Sequence, residues 1–292
     1  MMTTKVFQRV LATFLVVAAI FLANGVAQAD PYQDIQKYTA QIAQNPNDAE
    51  AYFHRGNAYS DLGQNERAIQ DYNRAIELNP NNANLYNNRG SAYESLGQYE
   101  RAIQDFNKAI QLNPNYFGAY DNLGFVYKNL GQYEQAIQKF NKAIQINPNH
   151  HLAYNNRGSV YENLGKYELA IQDFNKAIQL NPNYATAYNN RGIAYYHLEQ
   201  DYQAIQDFST AIQINPNFAK AYCCRGNAYY DLGQYELAIQ DYSTAIRLNP
   251  IYADAYKNRS NAYKAIGNMI QAEEDLNKYN EIIFTGITIT SN

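Results

Sequence analysis

The sequence predicts an all-α fold, a solenoid of seven helix–turn–helix repeats preceded by a capping half repeat. Three observations lead to this prediction. The dipeptide Asn-Pro recurs every 34 residues without an insertion. Between successive Asn-Pro pairs, Tyr, Ala and Ile recur at helical spacing on either side of a Gly. Copies of this unit fill most of a 292-residue chain, and internal periods of roughly 20–50 residues are typical of solenoids.

The first segment, residues 1–29, has the pattern of a signal peptide. Two basic residues precede an apolar run from Val10 to Leu22, and small residues lie just before Asp30. A membrane anchor is the alternative, but a spanning helix needs about 20 apolar residues, and polar residues interrupt this run early. We therefore expect cleavage between Ala29 and Asp30. The mature chain, without a membrane span, is expected outside the cytoplasm, in a periplasmic or lumenal compartment or secreted.

The next segment, residues 30–48, is predicted to form a single N-terminal capping helix, because its apolar pattern matches only the second helix of a repeat. Residues 283–292 are expected to form a loose C-terminal tail. In the last repeat, Glu273 and Asn280 occupy columns that hold Ile elsewhere, as expected where no further helix covers them. The seven predicted repeats span residues 49–82, 83–116, 117–150, 151–184, 185–218, 219–252 and 253–282.

The fourth repeat illustrates why each unit is predicted to be two antiparallel helices. Apolar and aromatic residues follow helical spacing on both sides of Gly165, which supplies the positive φ of a tight turn. Pro182 then ends the second helix, because its ring cannot continue one. We expect Gly158 in the first helix to face Ala170 and Ala177 in the second, with aromatic rings filling the remaining space. The Tyr columns are therefore interpreted as core.

These residues resemble the tetratricopeptide repeat family. The resemblance covers Ala49 to about Ile282 and implies a right-handed α-α superhelix that binds other proteins or peptides. Two departures stand out: the Trp usual in the first column is Tyr here, and Glu199 replaces the Gly between the helices of the fifth repeat. We expect that turn to be locally different. The motif residues of the fourth repeat are Tyr154, Gly158, Tyr161, Ala170, Phe174, Ala177 and Pro182.

Two charged columns change together along the repeats. Six repeats carry Arg before the small residue of the first helix and Asp before the ring of the second helix. The third repeat has Leu123 and Lys139 at these positions instead. We infer an Arg–Asp contact within each repeat, such as Arg157 with Asp173, that stabilises the fold. Coincidence is the alternative, since only one repeat is exceptional.

The first helices are expected to line a concave groove, and Asn recurs on the stripe that faces it. An Asn amide both donates and accepts, so the ladder is predicted to pair with the backbone of an extended peptide. Similar ladders line some peptide-binding tetratricopeptide superhelices. The alternative is that Asn is merely a common solvated residue in this repeat subtype. The predicted peptide-binding residues are Asn88, Asn122, Asn156, Asn190 and Asn258, with Asn87, Asn155 and Asn189 in the preceding column and Lys220, Lys257 and Asn261 near the C-terminal end.

Another binding mode of the family, a clamp for a C-terminal carboxylate, is only partly matched. Lys257, Asn258 and Asn261 resemble its first part but lie in the last repeat, and Cys224 stands where the clamp needs Arg. We therefore reject a complete clamp. Groove acids predominate toward the first repeats and lysines toward the last, which favours a ligand with its basic end toward the first repeats and predicts salt-sensitive binding.

Several function classes are excluded by composition and motifs. The net charge is −4, and no basic run provides the footprint of a nucleic-acid-binding protein. Of the 4 His, His150 and His151 are adjacent at a repeat junction and the other two lie several repeats apart. Neither a metal-ligand motif nor a phosphate-binding Gly loop occurs. We therefore predict no catalytic residues, no metal and no cofactor. The adjacent Cys223 and Cys224 cannot bridge each other within a helix; they are interpreted as small apolar residues or, alternatively, as partners in an intermolecular disulfide.

The predicted function is a scaffold that holds an extended segment of another protein in its groove. The alternative is a structural or assembly role, with partners or further copies of the chain meeting the convex face or the solenoid ends. A subunit that regulates a partner's catalysis would have the same sequence features.

Overall fold

The computed structural model describes residues 30–290, and side chains up to residue 285; the predicted signal peptide, residues 1–29, lies outside this part. Every regular element of the described chain is a helix. The helices are α1 (Pro31–Gln44), α2 (Ala49–Asp61), α3 (Asn65–Leu78), α4 (Ala83–Ser95), α5 (Tyr99–Leu112), α6 (Phe117–Asn129), α7 (Tyr133–Ile146), α8 (His151–Asn163), α9 (Tyr167–Leu180), α10 (Ala185–His197), α11 (Asp201–Ile214), α12 (Ala219–Asp231), α13 (Tyr235–Leu248), α14 (Ala253–Ala265) and α15 (Met269–Thr290).

The helices after α1 form consecutive antiparallel pairs, one pair to each predicted repeat. We call the first helix of a pair the A helix and the second the B helix. This arrangement confirms the predicted all-α fold of tandem helix pairs. The described chain divides into two compact units, the first ending at Pro114 and the second beginning at Asn115. The first contains α1 and two pairs, and the second contains five pairs.

Within each unit, the A helices lie on the inside of the stack. Each B helix packs against its own A helix and against the A helix that follows it in the same unit. Neighbouring A helices of a unit also approach each other directly, whereas no two B helices within a unit of the described chain do. Spacing that is closer on the A side curves the stack toward the A helices, so these helices form the concave face of each unit.

The core of a helix pair is an aromatic ring packed against a glycine. In the fourth repeat, a Cβ atom added to Gly158 would lie 2.7 Å from Cε1 of Phe174, which is fully buried. The prediction that Gly158 faces Ala170 and Ala177 is therefore wrong, because the space above the glycine is taken by the ring. Ala170 instead packs with Phe174 and with Ala194 of the next repeat.

In the last repeat, both the glycine and the aromatic ring of this contact are replaced. Ser260 stands in the glycine column, and Leu276 stands in the ring column. Without a ring above it, the serine side chain is accommodated, and its hydroxyl donates to the carbonyl oxygen of Ala272 at 2.6 Å. The glycine of the other repeats is thus required by the ring that it faces.

The turn of the fifth repeat, which we expected to be locally different, has the same shape as the turn of the fourth repeat. Glu199 has a φ of 59°, close to the 69° of Gly165 in the fourth repeat. Its backbone N–H bonds to Tyr196 and the next N–H to Tyr195, the same pattern as in the fourth repeat. Packing of the flanking helices imposes the left-handed conformation on a residue that disfavours it. The replacement of Gly by Glu199 therefore strains the turn without changing its shape.

The predicted Arg–Asp contact is present in six repeats. Arg157 donates from Nε and Nη2 to the two carboxylate oxygens of Asp173, at 2.8 and 2.6 Å. Its Nη1 donates to Asn141 on the B helix of the preceding repeat, a link that sequence analysis did not predict. The guanidinium also lies over Tyr154 and Tyr161, 5.7 and 6.0 Å from the ring centroids. These two tyrosines are half-buried and flank the guanidinium. The two Tyr columns to which they belong are therefore only partly core.

The equivalent pairs have the same bidentate geometry. They are Arg55–Asp71, Arg89–Asp105, Arg191–Asp207, Arg225–Asp241 and Arg259–Asp275. In the exceptional third repeat, Leu123 is fully buried and replaces the polar contact with an apolar one.

The two ends of the chain differ in how they are covered. Helix α1 packs on α2 and half-buries Ile35, as expected of a capping helix. Helix α15 continues to Thr290 through the segment predicted as a loose tail, residues 283–292. No Asn-Pro pair ends this last helix, which explains the difference. No helix in the described part of the chain is both long and apolar enough to cross a membrane.

Candidate functional site

The Asn ladder joins neighbouring A helices to each other. The Nδ2 of Asn88 donates to Oδ1 of Asn57 in the preceding repeat at 2.9 Å. Asn190 donates to Asn155 at 3.1 Å, and Asn258 donates to Asn227 at 2.9 Å. The ladder is thus on the concave A-helix face, as predicted, but part of its hydrogen-bonding capacity holds the repeats together.

Three predicted peptide-binding residues are not on the surface. Asn87, Asn155 and Asn189 are only 7%, 4% and 1% exposed. Asn155 accepts from Asn190 of the next repeat, and the amides of Asn87 and Asn189 donate to the adjacent ladder residue on the same helix. The assignment of these three residues to the groove is therefore wrong, because a one-residue step along a helix rotates a side chain by about 100°, away from the concave face.

The ladder residues of the third and fourth repeats lie near an acid. Asn122 is half-buried on α6. The amide of Asn156 approaches Oδ1 of Asp121 at 3.5 Å, and Nε2 of His150 lies 3.3 Å from the other oxygen. Asp121 is itself buried. His150, at the junction of two repeats, therefore lies against a carboxylate of α6, but its buried Nε2 makes no hydrogen bond within the described chain.

The predicted lysines have different environments. Lys220 is exposed, and its charge, together with that of Lys128, acts on the carboxyl of Glu162. Burial nevertheless raises the pKa of Glu162 above its ordinary value, against the effect of the two lysines. Lys257 lies in the column that faces the next repeat, and its ammonium is 5.8 Å from the ring of Tyr279 on its own B helix. Its assignment to the groove is wrong, since its column is the one of the buried Asn155 and Asn189, which lies between repeats and not on the concave face.

Asn258 and Asn261 come together in a cavity on the concave face of the second unit. Its volume is ≈ 200 Å³. The tyrosines, Asn227 and Asp231 of this cavity are not predicted from the sequence, where tyrosine is interpreted as core and only the Asn ladder is assigned to the groove. The lining residues are Tyr196, Asn227, Tyr230, Asp231, Tyr242, Asn258 and Asn261.

A similar cavity of ≈ 300 Å³ lies in the first unit, between its two repeats. There Tyr72 donates to Asn57 at 2.8 Å, just as Tyr242 donates to Asn227 at 2.8 Å in the second unit. The first and sixth repeats share this Tyr–Asn pair, whereas repeats two to five combine Phe with other residues. This joint change was available in the sequence and would have located both cavities. The first cavity is lined by Asn57, Ser60, Asp61, Tyr72, Asn88 and Ser91.

A second hollow adjoins the cavity of the second unit and shares Tyr196 and Asp231 with it. Its volume is ≈ 540 Å³, and His197, Glu199 and Asp201 complete its lining. The hydroxyl of Tyr196 donates to Oδ2 of Asp231 at 2.5 Å, so it holds that carboxylate at the boundary of the two hollows. The expectation that groove acids gather toward the first repeats overlooked this cluster, because two of its acids belong to the turn of the fifth repeat.

The two cysteines lie on α12 and are not bonded to each other. Burial raises the pKa of the Cys223 thiol to about 11 and that of Cys224 to about 12. Because the thiolate is the reactive form, both side chains behave as small apolar residues near neutral pH. Within the described residues, no group of three or more His, Cys, Asp or Glu side chains is placed to hold a metal ion.

Family models match most of the chain. A model described as TPR repeat matches residues 56–97, 126–165 and 226–267. Two models described as Tetratricopeptide repeat match residues 83–116, 151–184 and 185–218, and residues 38–70, 106–138 and 208–240. Together these matches extend without a gap from residue 38 to residue 267. No curated protein matches the chain.

Solved structures with the same fold include one chain of the APC/C hetero-tetramer Cut9–Hcn1. It has a TM-score of 0.70 and 18% identity, and the match covers 87% of this chain and 50% of that one. A tetratricopeptide repeat protein from Parabacteroides merdae has a TM-score of 0.64 and 23% identity, with 80% and 93% covered. Pseudomonas aeruginosa pilF has a TM-score of 0.62 and 20% identity, with 70% and 97% covered. At these identities the similarity is one of fold.

Proposed function

Because the chain belongs to the tetratricopeptide repeat family, we propose that it is a non-enzymatic scaffold that holds an extended segment of a partner protein against its A helices. The observation that carries this proposal is the concave A-helix face of the second unit, with its cavity at Asn258 and Asn261. Concave surfaces of stacked repeats are typical binding surfaces.

The polar lining of this face suits a polypeptide backbone. Each amide has two donor hydrogens and an acceptor oxygen, and the bonds between repeats use only part of this capacity. Asn258, for example, donates from Nδ2 to Asn227 and also lines the cavity. A segment that follows the A helices would meet such groups in successive repeats.

Site-specific photo-crosslinking tests the proposal. A benzophenone amino acid is placed at Asn163, exposed at the end of α8, or at Gln172, exposed on α9 of the same repeat. Residues 30–292 carrying either label are mixed with cell-envelope extract, and the crosslinked peptides are sequenced. We expect one partner segment to crosslink at Asn163 and not at Gln172. Equal labelling at both positions, or labelling at Gln172 alone, would refute the proposal.

A second candidate function, self-assembly through the C-terminal end, is favoured by exposed apolar side chains there. Met269 and Ile270 are 61% and 71% exposed at the start of α15, and Ile266 is 41% exposed in the turn before it. Analytical ultracentrifugation of residues 30–292 and of an Ile270→Asp variant tests this role. A dimer that the substitution dissociates would favour assembly, whereas two monomeric samples would eliminate it.

We also propose that the chain acts outside the cytoplasm. The basis is the signal-peptide pattern of residues 1–29, with its apolar run and its small residues before Asp30.

A further inference from the structure

The cavity at Tyr196, Tyr230 and Asp231 combines aromatic rings with a carboxylate and amides. Its ≈ 200 Å³ is below the range of about 300–1,000 Å³ typical of small-molecule sites. It therefore fits one side chain of a bound segment better than a cofactor.

Six arginines of the chain are bound by groups of the same kind as those that line this cavity. Arg225, in the same repeat, is held bidentately by Asp241, and its third nitrogen donates to a hydroxyl of the preceding repeat. Its guanidinium lies 5.8 Å from the ring centroids of both Tyr222 and Tyr229. In the fourth repeat the third nitrogen bonds instead to the amide oxygen of an asparagine. The internal sites thus combine a carboxylate and a neutral oxygen with flanking tyrosines, and these groups recur around the cavity.

The cavity lacks the cation that its lining would complement. Neither Lys nor Arg lines it or the adjoining hollow. In the described chain, no ion pair involves Asp231, Glu199 or Asp201. Burial, and then repulsion from Asp231 and Glu199, raises the pKa of Asp201. The negative charges here are therefore uncompensated, and a bound cation would relieve their repulsion.

Arginine fits this lining better than lysine. The planar guanidinium stacks on aromatic faces and donates to a carboxylate from two nitrogens at once, whereas an ammonium group is a compact, strongly hydrated charge. Tyr196 already fixes one carboxylate oxygen of Asp231, which keeps the acceptor in place.

We infer that the cavity formed by Tyr196, Asn227, Tyr230, Asp231, Asn258 and Asn261 binds the side chain of an arginine in the partner segment. This inference rests on the proposed function, since it assigns one specificity pocket within the A-helix face. The corresponding cavity of the first unit shares the carboxylate of Asp61 and the ring of Tyr72, but Ser60 stands there in place of Tyr230.

The test compares two acetylated, amidated peptides that differ at one central residue, arginine or its neutral isostere citrulline. Affinities for residues 30–292 are measured by fluorescence anisotropy with labelled peptides. We expect the arginine peptide to bind at least about tenfold more tightly, from one charge-assisted pair and aromatic stacking. A preference below about twofold overturns the inference.

Three variants test whether the preference for arginine over citrulline arises from the cavity. In Asp231→Asn the arginine preference should fall to within about twofold, whereas Asn261→Asp, which adds a carboxylate to the lining, should increase it. Glu236→Gln, on the exposed first turn of α13, removes the same charge elsewhere and should keep the tenfold preference. An unchanged preference in both cavity variants would place arginine binding elsewhere, and an equal loss in Glu236→Gln would assign the effect to net charge; either result overturns the inference.

The outcome is separable from that of the proposed function. Crosslinking of one partner segment at Asn163 alone, together with no arginine preference, would remove the pocket assignment and leave the scaffold role. Absence of any crosslink specific to Asn163 would instead remove the scaffold role itself.

Discussion

Individual asparagines of the A helices form hydrogen bonds between repeats, and the proposed function also gives them a role in binding the partner segment. Asn190 donates to both Asn155 and Ser159 of the preceding repeat, and it accepts from Asn189. Most of its capacity is thus committed to the fold. The ladder fixes the spacing of the A helices, and the residues beside it, such as Asn261 and Asp231, offer more to a ligand.

The substitution Asn190→Ala is expected to reduce the free energy of unfolding by about 1–3 kcal/mol, because it leaves Oδ1 of the buried Asn155 without this donor. Urea denaturation of residues 30–292 followed by circular dichroism measures the change. The exposed Asn163→Ala is the matched control, with an expected change of at most about 0.5 kcal/mol. If both variants unfold at the same urea concentration, the ladder does not join the repeats.

The strained turn of the fifth repeat gives a second prediction. Glu199→Gly should raise the free energy of unfolding by about 1 kcal/mol, because a left-handed non-Gly residue costs about 1–2 kcal/mol and the flexibility of Gly offsets part of the gain. The reciprocal substitution Gly165→Glu should lower stability by a similar amount. Denaturant midpoints that move in the same direction for both variants would contradict this account.

What could be predicted at these positions depended on periodicity. Helix ends, glycine turns and the ladder column can be predicted from spacing, because the same residue types recur at equivalent positions of the repeats. The orientation of Asn155 and Lys257 could not be read in this way, because one residue separates the concave face from the face between repeats. The cavity was missed because tyrosine was given one role, although the joint change at Asn227 and Tyr242 marked it.

Between helices, the Arg–Asp–Asn contact connects three elements at once. Arg157 on α8 bonds to Asp173 on α9 and to Asn141 on α7 of the preceding repeat. Sequence variation correctly indicated the contact within the repeat, since both members changed in the third repeat. It did not reveal the contact with the preceding repeat, because Asn, Ser and Thr all accept from that guanidinium nitrogen and the column therefore varies.

A double-mutant cycle on Arg157→Ala and Asp173→Ala measures this contact. The Asp173 side chain is 8% exposed, so either single substitution should cost about 3–5 kcal/mol and the double variant much less than the sum. The exposed pair Lys278–Glu281, with 43% and 62% exposure, is the control and should couple by about 0–1 kcal/mol. A coupling energy near zero for the buried pair would contradict its stabilising role.

At the scale of the whole molecule, the chain has two repeat units, each with a concave A-helix face and a Tyr–Asn cavity on it. The B helices contribute the ring, the acid and the Asn-Pro end of each repeat, and the A helices contribute the exposed amides and charges. The proposed binding role is thus assigned to the A-helix face, which the sequence already predicted to line the groove.

Export of the chain predicts a defined mature N-terminus. When the full sequence is expressed in a bacterium with a secretion pathway, Edman sequencing of the purified protein should begin at Asp30. An Ala29→Arg substitution, which removes the small residue before the cleavage site, should retain the uncleaved form. A wild-type product that starts at the initiator methionine would contradict the signal-peptide prediction.

Hydrogen–deuterium exchange tests the central claim most directly. Exchange of residues 30–292 is compared alone and with the partner segment recovered by crosslinking. The account predicts added protection in the A helices of the second unit, above all in α12 and α14 beside the cavity, and little change in α9, α11 and α13. Protection confined to α15 or to the B helices would contradict binding on the A-helix face.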